Sequence, residues 1–144
     1  MKYAKLVVVL VLILAAFVVL SYKRTSQETK IKTSPAKLES IEGTKLSRVT
    51  LSEAASVRLN IQTDQVKAKG QGRKTIPYSA VFYGANGDTW TYINLEPFVF
   101  VRYPIKIDSI REDLAVLTDG PQVGTEVVTV GAAELYGIEL GIGK

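Results

Sequence analysis

Asp108, Glu112 and Asp113 are the only acidic cluster in the strand-rich part of this 144-residue chain. Paired carboxylates can do general acid–base work, but these three frame the turn Arg111-Glu112-Asp113. Turns are where Asp and Glu ordinarily sit, solvated and bonded to their own backbone. The chain contains no His and no Cys. That removes the commonest general base, the commonest metal ligand and the thiolate nucleophile. Catalysis would have to use carboxylates, Lys, Tyr or Ser. Soft metals prefer thiolate, thioether or imidazole ligands, and Met1 is the one Met. The expectation is a protein that is not an enzyme and carries neither metal nor cofactor.

Two other groupings could make a surface. Trp90, Tyr92, Phe98 and Phe100 could form an exposed aromatic patch for a small ligand or an envelope polymer. The plainer alternative is that strand aromatics pack in a core. For protein docking, the polar face of one long strand offers Arg102 and Lys106, with Tyr78 as a third candidate. The plainer alternative there is ordinary solvent exposure of charged side chains.

The elements that must position these residues lie between Pro77 and Gly137. IPYSAVFY is followed by Asn86-Gly87, a strong hairpin signal that favours positive φ at both central residues, and then by DTWTYIN. In the next segment Val99, Val101, Tyr103, Ile105 and Ile107 alternate with Arg102, Pro104, Lys106 and Asp108. This pattern predicts a half-buried strand with a solvent face, Phe98 and Phe100 lying on the solvent-side parity. Pro104 donates no hydrogen bond and predicts an edge or a bulge. Strands follow at 114–118 and 126–130. A single helical turn from Gly131 is closed by Gly137, and the glycine-containing tail is expected to fray.

Upstream, Leu46 to Val49 is weakly strand-like. Ser52 is a good N-cap for a short helix, with Glu53 in its first turn. Leu51, Ala55 and Leu59 share one face, and Asn60 suits a left-handed C-cap. Ile61 to Val66 reads as a strand. Lys67 to Lys74, with two glycines and four basic residues, reads as a solvated loop.

The N-terminus is of another character. Lys2 and Lys5 precede the apolar run Leu6–Leu20, which is about 22 Å long as a helix. With Ser21 and Tyr22 it reaches the lower limit for a membrane span, roughly 17 residues. An uncleaved transmembrane anchor is the first expectation for 1–22, and a cleaved signal peptide is the second. Residues 23–37 lack apolar periodicity and read as a flexible basic linker. Of 18 Lys and Arg, Lys2, Lys5, Lys23, Arg24, Lys30, Lys32 and Lys37 precede Leu38, against Glu28 alone of 14 acidic residues. The remaining 38–144 is therefore slightly acidic, and a nucleic-acid partner is not expected. Taken literally, the positive-inside rule places the following domain in the cytoplasm, because the C-terminal flank is the more basic. A basic start, an apolar run and a long following domain make, by contrast, the usual export layout.

Three blocks carry a resemblance: RVTLSEAASVRLNIQTDQV (48–66), IPYSAVFYGANGDTWTYIN (76–94) and FVRYPIKIDSIREDLAVLTDGPQVGTEVVTVGAAELYG (100–137). They resemble the membrane-proximal part of periplasmic adaptor proteins, or membrane fusion proteins, of resistance-nodulation-division efflux pumps. In that family long insertions separate the first block from the last; here only Lys67 to Lys74 takes their place. The resemblance implies that the two halves of 38–144 fold together as one small mixed β-barrel of membrane-proximal type, mainly β with one short helix. It also implies an accessory or adaptor-like role. The protein would be single-pass in the inner membrane, held by its N-terminal helix, with the domain in the periplasm. Its partners would be an inner-membrane transporter or other adaptor subunits.

Overall fold

The computed structural model describes residues 34–142. The expected anchor, 1–22, and most of the expected linker lie outside them. The first strand, β1 (Ala36–Ser40), opens within the last two residues of the 23–37 span. Among the described residues no helix is long and apolar enough to cross a membrane.

The described chain is mainly β, as expected. After β1 come β2 (Ser47–Leu51), α1 (Glu53–Arg58), β3 (Gln62–Gln65), β4 (Lys67–Gly70) and β5 (Arg73–Pro77). A 3-10 turn (Tyr78–Ala80) leads to β6 (Phe82–Tyr83), β7 (Thr89–Glu96), β8 (Val99–Pro104) and β9 (Lys106–Arg111). β10 (Leu114–Asp119), β11 (Glu126–Val130) and α2 (Ala132–Glu139) complete it. A larger sheet runs in the order β1-β2-β8-β7-β11-β3, with β6 beside the start of β7; a smaller one runs β4-β5-β10-β9. All pairings are antiparallel.

The expected barrel is not closed. Of the four crossings between the sheets, two are direct, and each of these bends at a buried apolar residue: Val66 between β3 and β4, and Ile105 between β8 and β9. Both side chains enter the core between the sheets. At the second bend Pro104 has no N–H to give, and the Ile105 N–H turns to the Thr89 carbonyl at 3.1 Å. Burying these two side chains bends the strands, and the ladders separate into two sheets.

The larger sheet is buried on both faces, because successive strand residues point oppositely. Ile93, Val101 and Val127 face the smaller sheet with Ile76, Ala115 and Leu117. Their neighbours Tyr92, Phe100 and Val128 face the helices, with Leu51, Ala55 and Leu135. Phe100, expected on the solvent side, is 2% exposed because it packs in the helix-side core with Leu51, Ala55 and Leu135. Full burial of a side chain of that size contributes about 1.5–3 kcal/mol. The exposed ion pairs Lys37–Glu39, Asp64–Lys67 and Arg73–Asp108 contribute about 0–1 kcal/mol each. Apolar burial on two faces therefore sets the architecture.

α1 forms where its cap predicts. The Ser52 side chain accepts the Ala55 N–H at 3.2 Å, and Asn60 takes φ 51. Three local expectations are corrected. Lys67 to Lys74 is a hairpin rather than a loop: β4 pairs with β5 through its backbone while its side chains stay in water. The turn before β7 spans Gly84 to Asp88, with only Gly87 at positive φ (82), and is held by Gly87 N–H to Gly84 O at 2.9 Å. The last helix does not stop at Gly137. It runs to Glu139 and closes on Gly141 (φ 73), with Gly141 N–H to Ile138 O at 3.0 Å and Ile142 N–H to Gly137 O at 2.9 Å. This is a Schellman closure.

Candidate functional site

Arg102 lies two residues beyond Phe100 on β8 and so faces the helix side of the larger sheet. Its Nη2 is 3.1 Å from Oε1 of Glu139, at the end of α2. The Arg102 side chain is 15% exposed and that of Glu139 4%. The guanidinium sits 4.6 Å from the Trp90 ring centroid and 5.6 Å from that of Tyr136, within cation–π reach of both. Glu139 Oε2 accepts the Tyr92 hydroxyl at 2.5 Å, and Oε1 accepts the Ser47 N–H at 3.3 Å. Phe82 stacks on Tyr92 with 5.1 Å between centroids and tilts against Tyr136 at 5.3 Å. Burial first, and the bond to Glu139 second, hold the Tyr92 phenol well above the ordinary tyrosine range.

This arrangement is a clasp. One carboxylate on α2 gathers β2, β7 and β8, taking one contact from each. Two charges withdrawn from water cost several kcal/mol each, and the pairing, with the hydrogen bonds to Glu139, offsets part of that cost. Arg102 thus acts inside the body, as a structural cation paired through Nη2, while its buried Nε has no hydrogen-bond partner.

The three docking candidates do not share a surface. The chain changes sheets at Ile105, so the parity that would align Arg102 with Lys106 is broken there. Lys106 is exposed at the start of β9, opposite Asp119. Tyr78, 39% exposed, follows β5, and its N–H bonds to the Asp113 carbonyl at 2.7 Å. It lies at the other end of β10 from Asp119, a separation of about 17 Å along five strand residues. The neighbouring Tyr78 hydroxyl raises the Tyr83 phenol above its ordinary value.

Lys106 borders an open cleft of about 540 Å³, whose walls include Asp88, Thr89, Trp90, Pro104 and Asp119. Trp90 is half-buried and pinned by Arg102. The proposed aromatic patch does not form: Tyr92 and Phe100 are core residues, and Phe98 (φ 64) is 36% exposed. The acidic cluster disperses as well. Asp108 pairs with Arg73 at 3.1 Å, while Glu112 and Asp113 stay exposed in the hairpin turn. Among the described residues no three acidic groups are placed to hold a metal ion.

Sequence reasoning missed Glu139, because a tail with glycines at 137, 141 and 143 reads as fraying. The available signal was the spacing of Leu135, Tyr136 and Glu139, which puts an apolar, an aromatic and an acidic side chain on neighbouring positions of one helix surface. No family model matches the chain, and no curated protein or solved structure matches it either.

Proposed function

We propose that this chain is a membrane-anchored accessory or adaptor-like subunit of an efflux transporter, acting by protein–protein docking outside the inner membrane. The observation that supports it most is the joining of the first and last resembling blocks in one body. β3 pairs with β11, and Ala55 of α1 shares a core with Leu135 of α2. The join is made across the short β4–β5 hairpin, without the insertions that family members carry there. A body of membrane-proximal type then has surfaces to dock with and no extension to span an envelope. In this reading Leu6–Leu20 is the single-pass anchor, the domain is periplasmic, and Tyr78 and Lys106 are the accessible docking candidates. The role requires no cofactor and no catalytic step.

The test is recovery of the tagged full chain from native membranes in several detergents. Co-recovery of an inner-membrane transporter is the expected result. Recovery of the bait alone in every detergent would contradict the reading. A C-terminal reporter fusion decides the side of the membrane.

The cleft beside Trp90 favours one alternative, an independent binding module for a small ligand or envelope polymer. Its volume lies within the range usual for ligand sites, roughly 300–1,000 Å³. Trp90 is the only tryptophan, so its fluorescence reports on the cleft directly. Emission that no envelope glycan or amphiphile changes would argue against this alternative.

A further inference from the structure

Between α1 and α2 lies a small apolar groove of about 140 Å³, lined by Pro35, Ala36, Leu51, Ala55, Leu59 and Ile138. It is too small for an ordinary ligand, for which roughly 300 Å³ is the lower bound. Arg58 is the only charged residue lining it. The chain enters the folded body at this place: the Ser52 N–H, at the cap of α1, donates to the Pro35 carbonyl at 3.0 Å. The residues that precede Pro35 include the apolar run Leu6–Leu20 and the cations Lys23, Arg24, Lys30 and Lys32.

The elements that wall the groove also bear the three most exposed large aliphatic side chains among the described residues. Val57 on α1 is 74% exposed; Ile142 (71%) and Leu140 (57%) stand on the turn that closes α2. That turn is held by its two Schellman hydrogen bonds, so Leu140 and Ile142 are presented in a fixed geometry. An ordered turn that offers aliphatic side chains to water, on an apolar helix, is the kind of surface that gains from being covered.

We propose that the turn closing α2, together with the groove beside that helix, rests on an anionic lipid bilayer. This rests on the anchored-subunit reading above. The occupant is argued from the point of chain entry and from charge. A polybasic stretch directly upstream is attracted to anionic headgroups. Arg58, at the groove, can bury its stem and keep its guanidinium at headgroup level. Leu140 and Ile142 then enter the acyl boundary, as the apolar face of an interfacial helix does.

The chain has no Cys, so single-cysteine variants label cleanly. The full chain is reconstituted in phosphatidylcholine–phosphatidylglycerol vesicles. A polarity-sensitive fluorophore is placed at Leu140→Cys, at Ile142→Cys, or, as a control in the β9–β10 turn, at Glu112→Cys. All three sites are exposed, and folding is checked by circular dichroism. Expected is at least a twofold quenching by nitroxide-bearing lipid at 140 and 142, none at 112, and a loss of that quenching in pure phosphatidylcholine. Vesicle-bound protein whose labels at 140 and 142 stay unquenched would overturn the bilayer contact alone. A chain that fails to sediment with vesicles would overturn both it and the anchored reading. Shielding at 140 and 142 that depends on protein concentration and not on lipid nitroxide would assign the face to a second copy, and would equally overturn the proposal.

Discussion

Three strands meet on the Glu139 carboxylate, which ties them to α2. Replacing Arg102 by Ala leaves that carboxylate buried without its cation, and a broken buried pair costs about 3–5 kcal/mol. The exposed part of Arg102 places the loss near the lower value. Urea unfolding of R102A should therefore show a clearly lower midpoint. The double variant R102M/E139M should lose less than the sum of the single losses, because no unpaired charge is left behind. Tyr92 gives the same site a pH signature. Its folded phenol titrates above the unfolded value of about 10. Above that pH the unfolded chain releases a proton that the folded chain keeps. The tyrosine's contribution is thus complete at neutral pH and is lost as pH rises past the unfolded value. The unfolding midpoint of wild type should fall faster between pH 9 and 11 than that of Y92F.

At the scale of elements, α2 depends on two glycines whose φ is positive. Gly131 starts the helix at φ 94, and a Cβ there would collide with Ile61 Cδ1. Gly141 closes it at φ 73, with open space around the Cβ position. Gly141→Ala should cost about 1–2 kcal/mol, the backbone penalty alone. Gly131→Ala should cost more, because the clash adds to the strain. Thermal or urea melts that rank the two the other way would contradict this account of the helix ends. The contrast explains what the chain revealed in advance. α1 was legible because its cap, first-turn acid and C-cap Asn are local, and each acts within three or four residues. The far end of α2 was not, because a run of glycines reads as flexible until a Schellman turn uses one of them. The solvent face expected at Phe100 was wrong for a related reason. Strand alternation tells which residues share a face, but not that the helix-side core covers the second face. The bends at Val66 and Ile105 were illegible too, since a core between two sheets, rather than any neighbour in sequence, draws those residues inward. Of the site, the sequence singled out Arg102 only as a docking residue on a solvent face; that it is a largely buried partner of Glu139 was not legible.

At the scale of the whole folded body, residues from before and after the β4–β5 hairpin contribute to both cores. Neither portion can bury its apolar surface alone. Unfolding followed by Trp90 fluorescence and by far-ultraviolet circular dichroism should give coincident transitions. Two separated transitions would mean that the portions are independent. The same unity carries the functional reading, since a body that keeps its fold without inserted modules can serve as a docking subunit. The most direct test places a photo-activated benzoylphenylalanine at Tyr78 or at Lys106 in the full chain, within native membranes. The account predicts a light-dependent adduct with an inner-membrane transporter from at least one of the two positions. Membrane-bound protein that forms no such adduct from either would contradict it.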